Sequence, residues 1–119
     1  MATIEIKRIY DTPEKTDGFR ILIDRLWPRG IKKTDAAIDL WVKEIAPSNT
    51  LRKWFNHDAE KWLEFQKSYA KELVDKQDLI DLIKEKAKHQ KVTLLFGSKE
   101  MKHNNAAALL NIINQRKGK

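Results

Sequence analysis

Residues 19–23 read FRILI, and residues 24–30, which follow directly, read DRLWPRG. The first run is rich in apolar and β-branched residues and predicts a buried strand. Pro28 and Gly30 then interrupt regular structure. One aspartate and two arginines therefore lie where a strand opens into a loop. In α/β proteins that end of the sheet is where ligands bind, because loops and helix N-termini converge there.

The chain length of 119 residues predicts a single domain over residues 1–119. A hydrophobic fraction of 41% supports a packed core, while 34% charged residues favour a soluble protein. The sequence contains no cysteine, which excludes disulfides, thiolate metal sites and cysteine nucleophiles. Residues 1–7 carry charges where a signal peptide needs an apolar run, and no segment approaches the roughly 20 apolar residues of a membrane helix. We expect a cytoplasmic protein that does not enter a membrane.

The net charge of +7 favours anionic partners, either nucleic acid or phosphorylated metabolites. Because the basic residues are interspersed with Asp and Glu, solvated surface lysines explain this charge equally well. Trp27, Trp54 and Trp62 could stack on the bases of a nucleic acid. No recognised nucleic-acid-binding motif is present, however.

Residues 3–9 alternate enough to predict a first strand, and residues 92–96 predict another buried strand. The pattern also predicts helices over residues 35–45, over 51–55, from Asp58 to about residue 75, from Asp78 to residue 87, and after Asn104. This order indicates a small sheet covered by helices. The loop of residues 11–18 is shorter than a usual parallel crossover, so the first two strands either pair antiparallel or are not immediate neighbours.

Charged side chains follow both buried strands. Asp24, Arg25 and Arg29 follow the strand that begins at residue 19, and Lys99 follows the strand of residues 92–96. If these strands are parallel neighbours, their ends meet at one edge, where the last helix also points its free N–H groups. Arginine, lysine and a helix N-terminus together favour a phosphate, carboxylate or nucleotide.

Two side chains at this edge could move protons. Asp24 is a candidate catalytic base, and His103 is a candidate acid–base group near neutral pH. The alternatives are an Asp24 carboxylate paired with a neighbouring arginine, and a solvent-facing His103. The predicted ligand-binding residues are Arg25, Arg29, Arg52, Lys99 and Asn104.

The sequence predicts neither a metal nor a cofactor. The histidines at positions 57, 89 and 103 lack the close spacing of zinc ligands. Neither Gly-x-Gly-x-x-Gly nor a phosphate-binding loop occurs. Ser98 lacks the setting of a nucleophile elbow and is better explained as a small polar residue in a turn. Trp62, Phe65 and Tyr69 form an aromatic stripe at helical spacing, which is typical of a core.

Several stretches resemble the YeaO-like proteins, a branch of the DUF488 family of unknown function. They are IKRIYD at residues 6–11, DGFRILIDRLWPRG at 17–30, APS at 46–48, LRKWF at 51–55, HD at 57–58 and HNNA at 103–106. The resemblance spans nearly the whole chain and implies a bacterial cytoplasmic protein without an established activity. It also favours a parallel sheet. The expected fold class is therefore α/β, with a small, mainly parallel sheet of about three to four strands covered by helices in a Rossmann-like, three-layer arrangement.

The resemblance also implies that this chain lacks cysteines that the wider family has. The wider family has cysteines where this chain has Phe96 and the pair 104–105, so chemistry that depends on them does not carry over. The first hypothesis is an enzyme, or former enzyme, with a polar pocket for a phosphate- or nucleotide-like small anion. The alternatives are a nucleic-acid-binding module and a protein-interaction domain that docks through residues 48–57. The oligomeric state stays open.

Overall fold

A four-stranded parallel sheet lies at the centre of the computed structural model, which describes residues 3–115. The strands are β1 (Ile4–Arg8), β2 (Phe19–Leu22), β3 (Leu40–Trp41) and β4 (Val92–Phe96). Their order across the sheet is β1-β4-β2-β3, and each neighbouring pair is parallel. Because β4 separates β1 from β2, the first two strands are not neighbours. Since β1 and β2 are both parallel to β4, residues 9–18 still form a crossover that runs past β4 from the end of β1 to the start of β2.

Five described α-helices accompany the sheet. They are α1 (Lys33–Ala36), α2 (Asn49–Phe55), α3 (Trp62–Glu72), α4 (Gln77–His89) and α5 (Asn105–Gln115). Short 3-10 segments occur at Lys15–Asp17, Lys43–Ile45, Ala59–Lys61 and Leu73–Lys76. None of the helices between residues 3 and 115 is long and apolar enough to cross a membrane.

Both faces of the sheet are covered, which confirms the three-layer α/β class. On one face, Ile21 and Leu94 join a large core with buried residues of α2 to α5. On the other face, Leu22 and Leu95 pack with Ala36 and with side chains of the loop after β2. Successive strand residues point to opposite faces, so a strand covered on both sides must be apolar throughout. All five residues of β4 are accordingly buried.

The helix predicted over residues 35–45 is wrong. α1 ends at Ala36, the next residue, Ala37, has a positive φ of 51°, and the chain then forms the short edge strand β3. Trp41 Nε1 donates to the Asp24 carbonyl oxygen at 2.7 Å, and the Val42 amide donates to Leu22 O at 2.9 Å. Pairing with β2 therefore overrides the local helical spacing.

Helix boundaries differ from the prediction by small amounts elsewhere. Asp58 caps a 3-10 turn before α3 by accepting from the Glu60 amide at 3.0 Å. Asp78 lies in the first turn of α4, which begins one residue earlier, so it is not the cap. Asn104 does cap α5, because its Oδ1 accepts from the Ala107 amide at 2.8 Å. The stripe on α3 belongs to the core, as predicted.

An ion cluster at Asp17 joins β1, β2 and the loop between them. Lys7 Nζ lies 3.0 Å from the Asp17 carboxylate, which also accepts from the buried Arg20 guanidinium. Burial alone would raise the pKa of Asp17. Hydrogen bonds from the Glu14 amide, Lys7 and Arg20 outweigh it and hold that pKa below its ordinary value. The ionised carboxylate is therefore part of the folded structure.

We expect Asp17→Asn to lower the free energy of unfolding by about 3–5 kcal/mol, because it leaves the buried Arg20 without a charged partner. Urea denaturation at neutral pH measures this change. The wild type should lose this advantage as the pH falls through the lowered pKa of folded Asp17, since acid protonates the carboxylate.

The matched control is Glu14→Gln, which removes a carboxylate that contacts the same lysine at 3.2 Å but whose side chain is 64% exposed. An exposed ion pair contributes less than about 1 kcal/mol. Equal losses in the two variants would contradict a special structural role for Asp17.

Candidate functional site

A pocket of about 380 Å³ opens where β2 and β4 end. Its polar lining comes from the segment after β2, from α2 and the turn after it, from the turn after β4, and from the start of α5: Asp24, Arg25, Arg52, Lys53, Asn56, His57, Ser98 and Asn105. Its apolar lining consists of the exposed Leu26 and the buried residues Ala46, Phe55 and Phe65. The carboxyl ends of parallel strands meet here, as expected for a ligand site in this class.

Asp24 joins the ends of the two central strands. Its Oδ2 accepts a hydrogen bond from the Gly97 amide at 2.7 Å, and its Oδ1 accepts one from Asn105 Nδ2 at 3.0 Å. A Cβ on Gly97 would lie 3.1 Å from that Oδ2, so a glycine leaves room for the carboxylate. Among the described residues, Asp24 forms no ion pair with Arg25 or Arg29. Two neutral groups hold its carboxylate.

Burial raises the pKa of Asp24 above its ordinary value. The hydrogen bonds from Asn105 and Gly97 and the positive charge of Arg52 act in the opposite direction, but burial outweighs them. Asp24 therefore takes up a proton more readily than a free aspartate. A carboxyl with this behaviour in a pocket is a candidate functional group.

Two arginines provide positive charge at the same pocket. Arg25 Nη2 donates to the Ala46 carbonyl oxygen at 3.1 Å, whereas its buried Nε has no hydrogen-bond partner within residues 3–115. Arg52 lies on α2, and its side chain is exposed apart from a contact to Asn49 Oδ1 at 2.6 Å. Neither guanidinium has a described carboxylate partner.

The position of Arg52 depends on how α2 begins. Ser48 Oγ accepts from the Leu51 amide at 3.1 Å and so caps the helix. Ser48 in turn donates to the Glu72 carboxylate from its amide at 2.9 Å and from its hydroxyl at 2.6 Å. These bonds tie α2 to the end of α3 and fix its orientation beside the pocket.

His57 places an imidazole at the pocket. Asn56 and His57 both have left-handed backbone angles, with φ of 44° and 56°, which asparagine and histidine tolerate better than most residues. His57 Nδ1 lies 3.2 Å from the His103 carbonyl oxygen. The His103 ring instead packs edge-on against Trp62, with centroids 5.1 Å apart, and does not line the pocket.

The structure brings Asp24, Arg25 and Arg52 together, but not the other predicted ligand-binding residues. Arg29 and Lys99 are exposed and lie outside the pocket lining. Asn104 is fully buried, where it caps α5. Roles for these three residues in binding stay predictions.

Asn105, Ser98 and His57 were not among the predicted site residues. Asn105 could have been found, because a cap at position 104 makes it the first residue of a helix that begins at this edge. Ser98 Oγ accepts from the Glu100 amide at 2.9 Å and so serves a turn, as its sequence context indicated. Across the described part of the chain, no group of three or more His, Asp or Glu side chains is arranged to hold a metal ion.

The three tryptophans considered for base stacking lie in different environments. Trp27 is half-buried and contacts Trp41 edge-on at 5.4 Å, and Trp62 is half-buried beside His103. Trp54 is 42% exposed, with Lys61 Nζ 5.1 Å from its ring centroid. Trp54 is therefore the most accessible aromatic surface of these three.

We expect the pKa values of Asp24 and Asp17 to move in opposite directions from 3.8 in the folded protein. Carbon-13 NMR of the side-chain carboxyls measures both in one pH titration, and Asp24→Asn assigns the first resonance. Asp24 should titrate above 3.8 because burial dominates, and Asp17 below it because its charged partners dominate. A pKa for Asp24 at or below that of Asp17 would contradict the described environment.

Comparison with known sequences identifies the family to which the chain belongs. The sequence model described as "Inactive DUF488-N3 subclade" matches residues 3–119. The chain is 46% identical over 106 residues to the uncharacterized protein YeaO of Escherichia coli K12, an alignment that covers 89% of this chain and 92% of YeaO. It is 35% identical over 113 residues to the uncharacterized protein Rv3073c of Mycobacterium tuberculosis, covering 95% of each. No solved structure matches the chain significantly.

Both relatives and the family model thus align with nearly the full length of this chain, including the residues that line the pocket. The resemblance first indicated by residues 17–30 is confirmed. The chain is a YeaO-like protein and belongs to the DUF488 family, within its DUF488-N3i subclade.

Proposed function

We propose that the pocket between β2, β4, α2 and α5 binds a small molecule that carries a phosphate or a similar anionic group. The observation that carries this proposal is that two arginines, Arg25 and Arg52, line the pocket and neither has a described carboxylate partner. A guanidinium group without such a partner favours an anionic ligand. An oxyanion in the pocket would supply that partner.

The charges of the pocket support the same ligand. Arginine forms paired, charge-assisted hydrogen bonds with phosphate and carboxylate oxygens, and two arginines line this pocket. Lys53 lines it as well. Asp24 supplies a negative charge, and because its pKa is raised, it is protonated more readily than a free aspartate and then no longer repels an anion.

Binding without turnover fits the family description. The chain belongs to a subclade described as inactive, and it has no cysteine nucleophile. In this proposal Asp24 positions the ligand and exchanges a proton with it, instead of cleaving a bond. His103 contributes through its carbonyl oxygen, which contacts His57 at the pocket.

We expect Arg52→Ala to weaken the binding of pyrophosphate about tenfold, because one charge-assisted hydrogen bond is lost. Isothermal titration calorimetry with inorganic phosphate and pyrophosphate measures the affinity. The melting temperature should stay near that of the wild type, because the Arg52 side chain is exposed and its one described partner, Asn49, is close in sequence.

The matched control is Lys88→Ala, which removes one positive charge at the end of α4. Lys88 is 68% exposed, contacts Glu85 at 3.5 Å, and lies just before β4 begins, at the edge of the sheet away from the pocket. Equal weakening by both variants would show a general charge effect and would contradict the pocket. No binding of either anion by the wild type would also contradict the proposal.

Nucleic-acid binding is the alternative, and exposed Trp54 is the observation that favours it. This alternative predicts that Trp54→Ala weakens the binding of a short single-stranded oligonucleotide, and that the affinity falls steeply with salt because phosphates displace counterions. The pocket proposal predicts no effect of Trp54→Ala on pyrophosphate binding, since Trp54 does not line the pocket. Fluorescence anisotropy with a labelled oligonucleotide separates the two.

A further inference from the structure

We infer that the ligand is a phosphorylated sugar, recognised at its phosphate by the arginines and at its hydroxyl groups by Asp24 and Asn105. This inference rests on the proposed anion-binding function and adds the chemical nature of the part of the ligand that carries the phosphate. It follows from the unused hydrogen-bonding capacity of the Asp24–Asn105 pair.

A carboxylate has about four acceptor positions, and a side-chain amide has two N–H donors and one acceptor oxygen. The described contacts of Asp24 use one position on each oxygen, for Gly97 and Asn105. Asn105 uses one N–H for Asp24, and no described contact engages its Oδ1. Adjacent acceptors and donors therefore remain at the pocket.

A hydroxyl group both donates and accepts, so a sugar diol can use this pair fully. A bare phosphate at neutral pH mainly accepts hydrogen bonds, so it cannot use the acceptors of Asp24, and its charge is repelled by the carboxylate. The pocket thus combines one part suited to an anion with another suited to neutral hydroxyls.

The two parts are contributed by different elements. Arg52 comes from α2, Asn105 comes from the start of α5, and Asp24 and Arg25 come from the segment after β2. A volume of about 380 Å³ exceeds the need of a phosphate alone and lies at the lower end for small-molecule pockets. A ligand that reaches both parts is a phosphate ester of a small polyol.

The aromatic residues favour a sugar phosphate over a nucleotide. Phe55 and Phe65 stack on each other with centroids 4.1 Å apart and are only 3% and 1% exposed, so neither offers an open face to a base. Trp54, which is exposed, does not line this pocket. Among the described lining residues, only His57 has an exposed ring, so a base would gain less from stacking here than on a tryptophan.

The experiment compares ribose 5-phosphate with methyl phosphate by titration calorimetry on the full chain. Both ligands carry a phosphate monoester, but only the first has sugar hydroxyls. We expect ribose 5-phosphate to bind at least about tenfold more tightly, because it makes additional hydrogen bonds to the Asp24–Asn105 pair. Asp24→Asn should reduce this ratio while leaving methyl phosphate binding equal or tighter, since a negative charge is removed.

Asn105→Ala provides a second variant if Asp24→Asn disturbs the fold, which circular dichroism and the melting temperature report. It should reduce the same ratio without the gain for methyl phosphate, because it removes no charge. Lys88→Ala, far from the pocket, should leave the ratio unchanged.

Equal affinities of the wild type for the two esters would overturn the sugar inference and leave the anion pocket standing. Binding of neither ester, with no binding of pyrophosphate, would overturn both. Adenosine monophosphate serves as a third ligand. If it binds more tightly than ribose 5-phosphate, a base contributes, and the assignment to sugar phosphates is wrong.

Discussion

The hydrogen bonds of Asp24 bring four elements of the fold together. Its carboxylate accepts from Gly97 after β4 and from Asn105 at the start of α5, while its carbonyl oxygen accepts from Trp41 of β3. Because Asp24 itself follows β2, these contacts join three strand ends and a helix at one point. The pocket lies at this convergence and is lined in addition by residues of α2.

Comparison of Asp24 with Asp17 separates a candidate functional carboxylate from a structural one. Asp17 is 4% exposed and is surrounded by Lys7 and Arg20, so its charge is offset and its pKa is lowered. Asp24 is held by neutral donors, and its pKa is raised. A charge whose burial is not offset by an ion pair costs stability, and such costs concentrate at binding sites. Arg25 and Arg52 have no described carboxylate partner, in contrast to Arg20, which pairs with Asp17.

Most of the fold could be predicted from patterns that local physics controls. Continuous apolar runs predicted β2 and β4 and their burial on both faces. The position of Asp24 after β2 predicted the edge of the sheet where the pocket lies. The segment over residues 35–45 could not be predicted, because Trp41 has helical spacing but is held in a strand by β2. The sequence alone also does not show that His57 lines the pocket and His103 does not. The ring of His103 packs against Trp62 instead.

The central claim is that an oxyanion binds beside Arg25 and Arg52, and a tungstate ion tests it most directly. Crystals of the full chain soaked in sodium tungstate would locate the ion by its anomalous scattering. We expect a peak in the pocket that Asp24 borders, near the guanidinium groups of Arg25 and Arg52. If the crystal lattice leaves the pocket open and tungstate binds only elsewhere on the surface, or not at all, that result would contradict the claim that an oxyanion binds there.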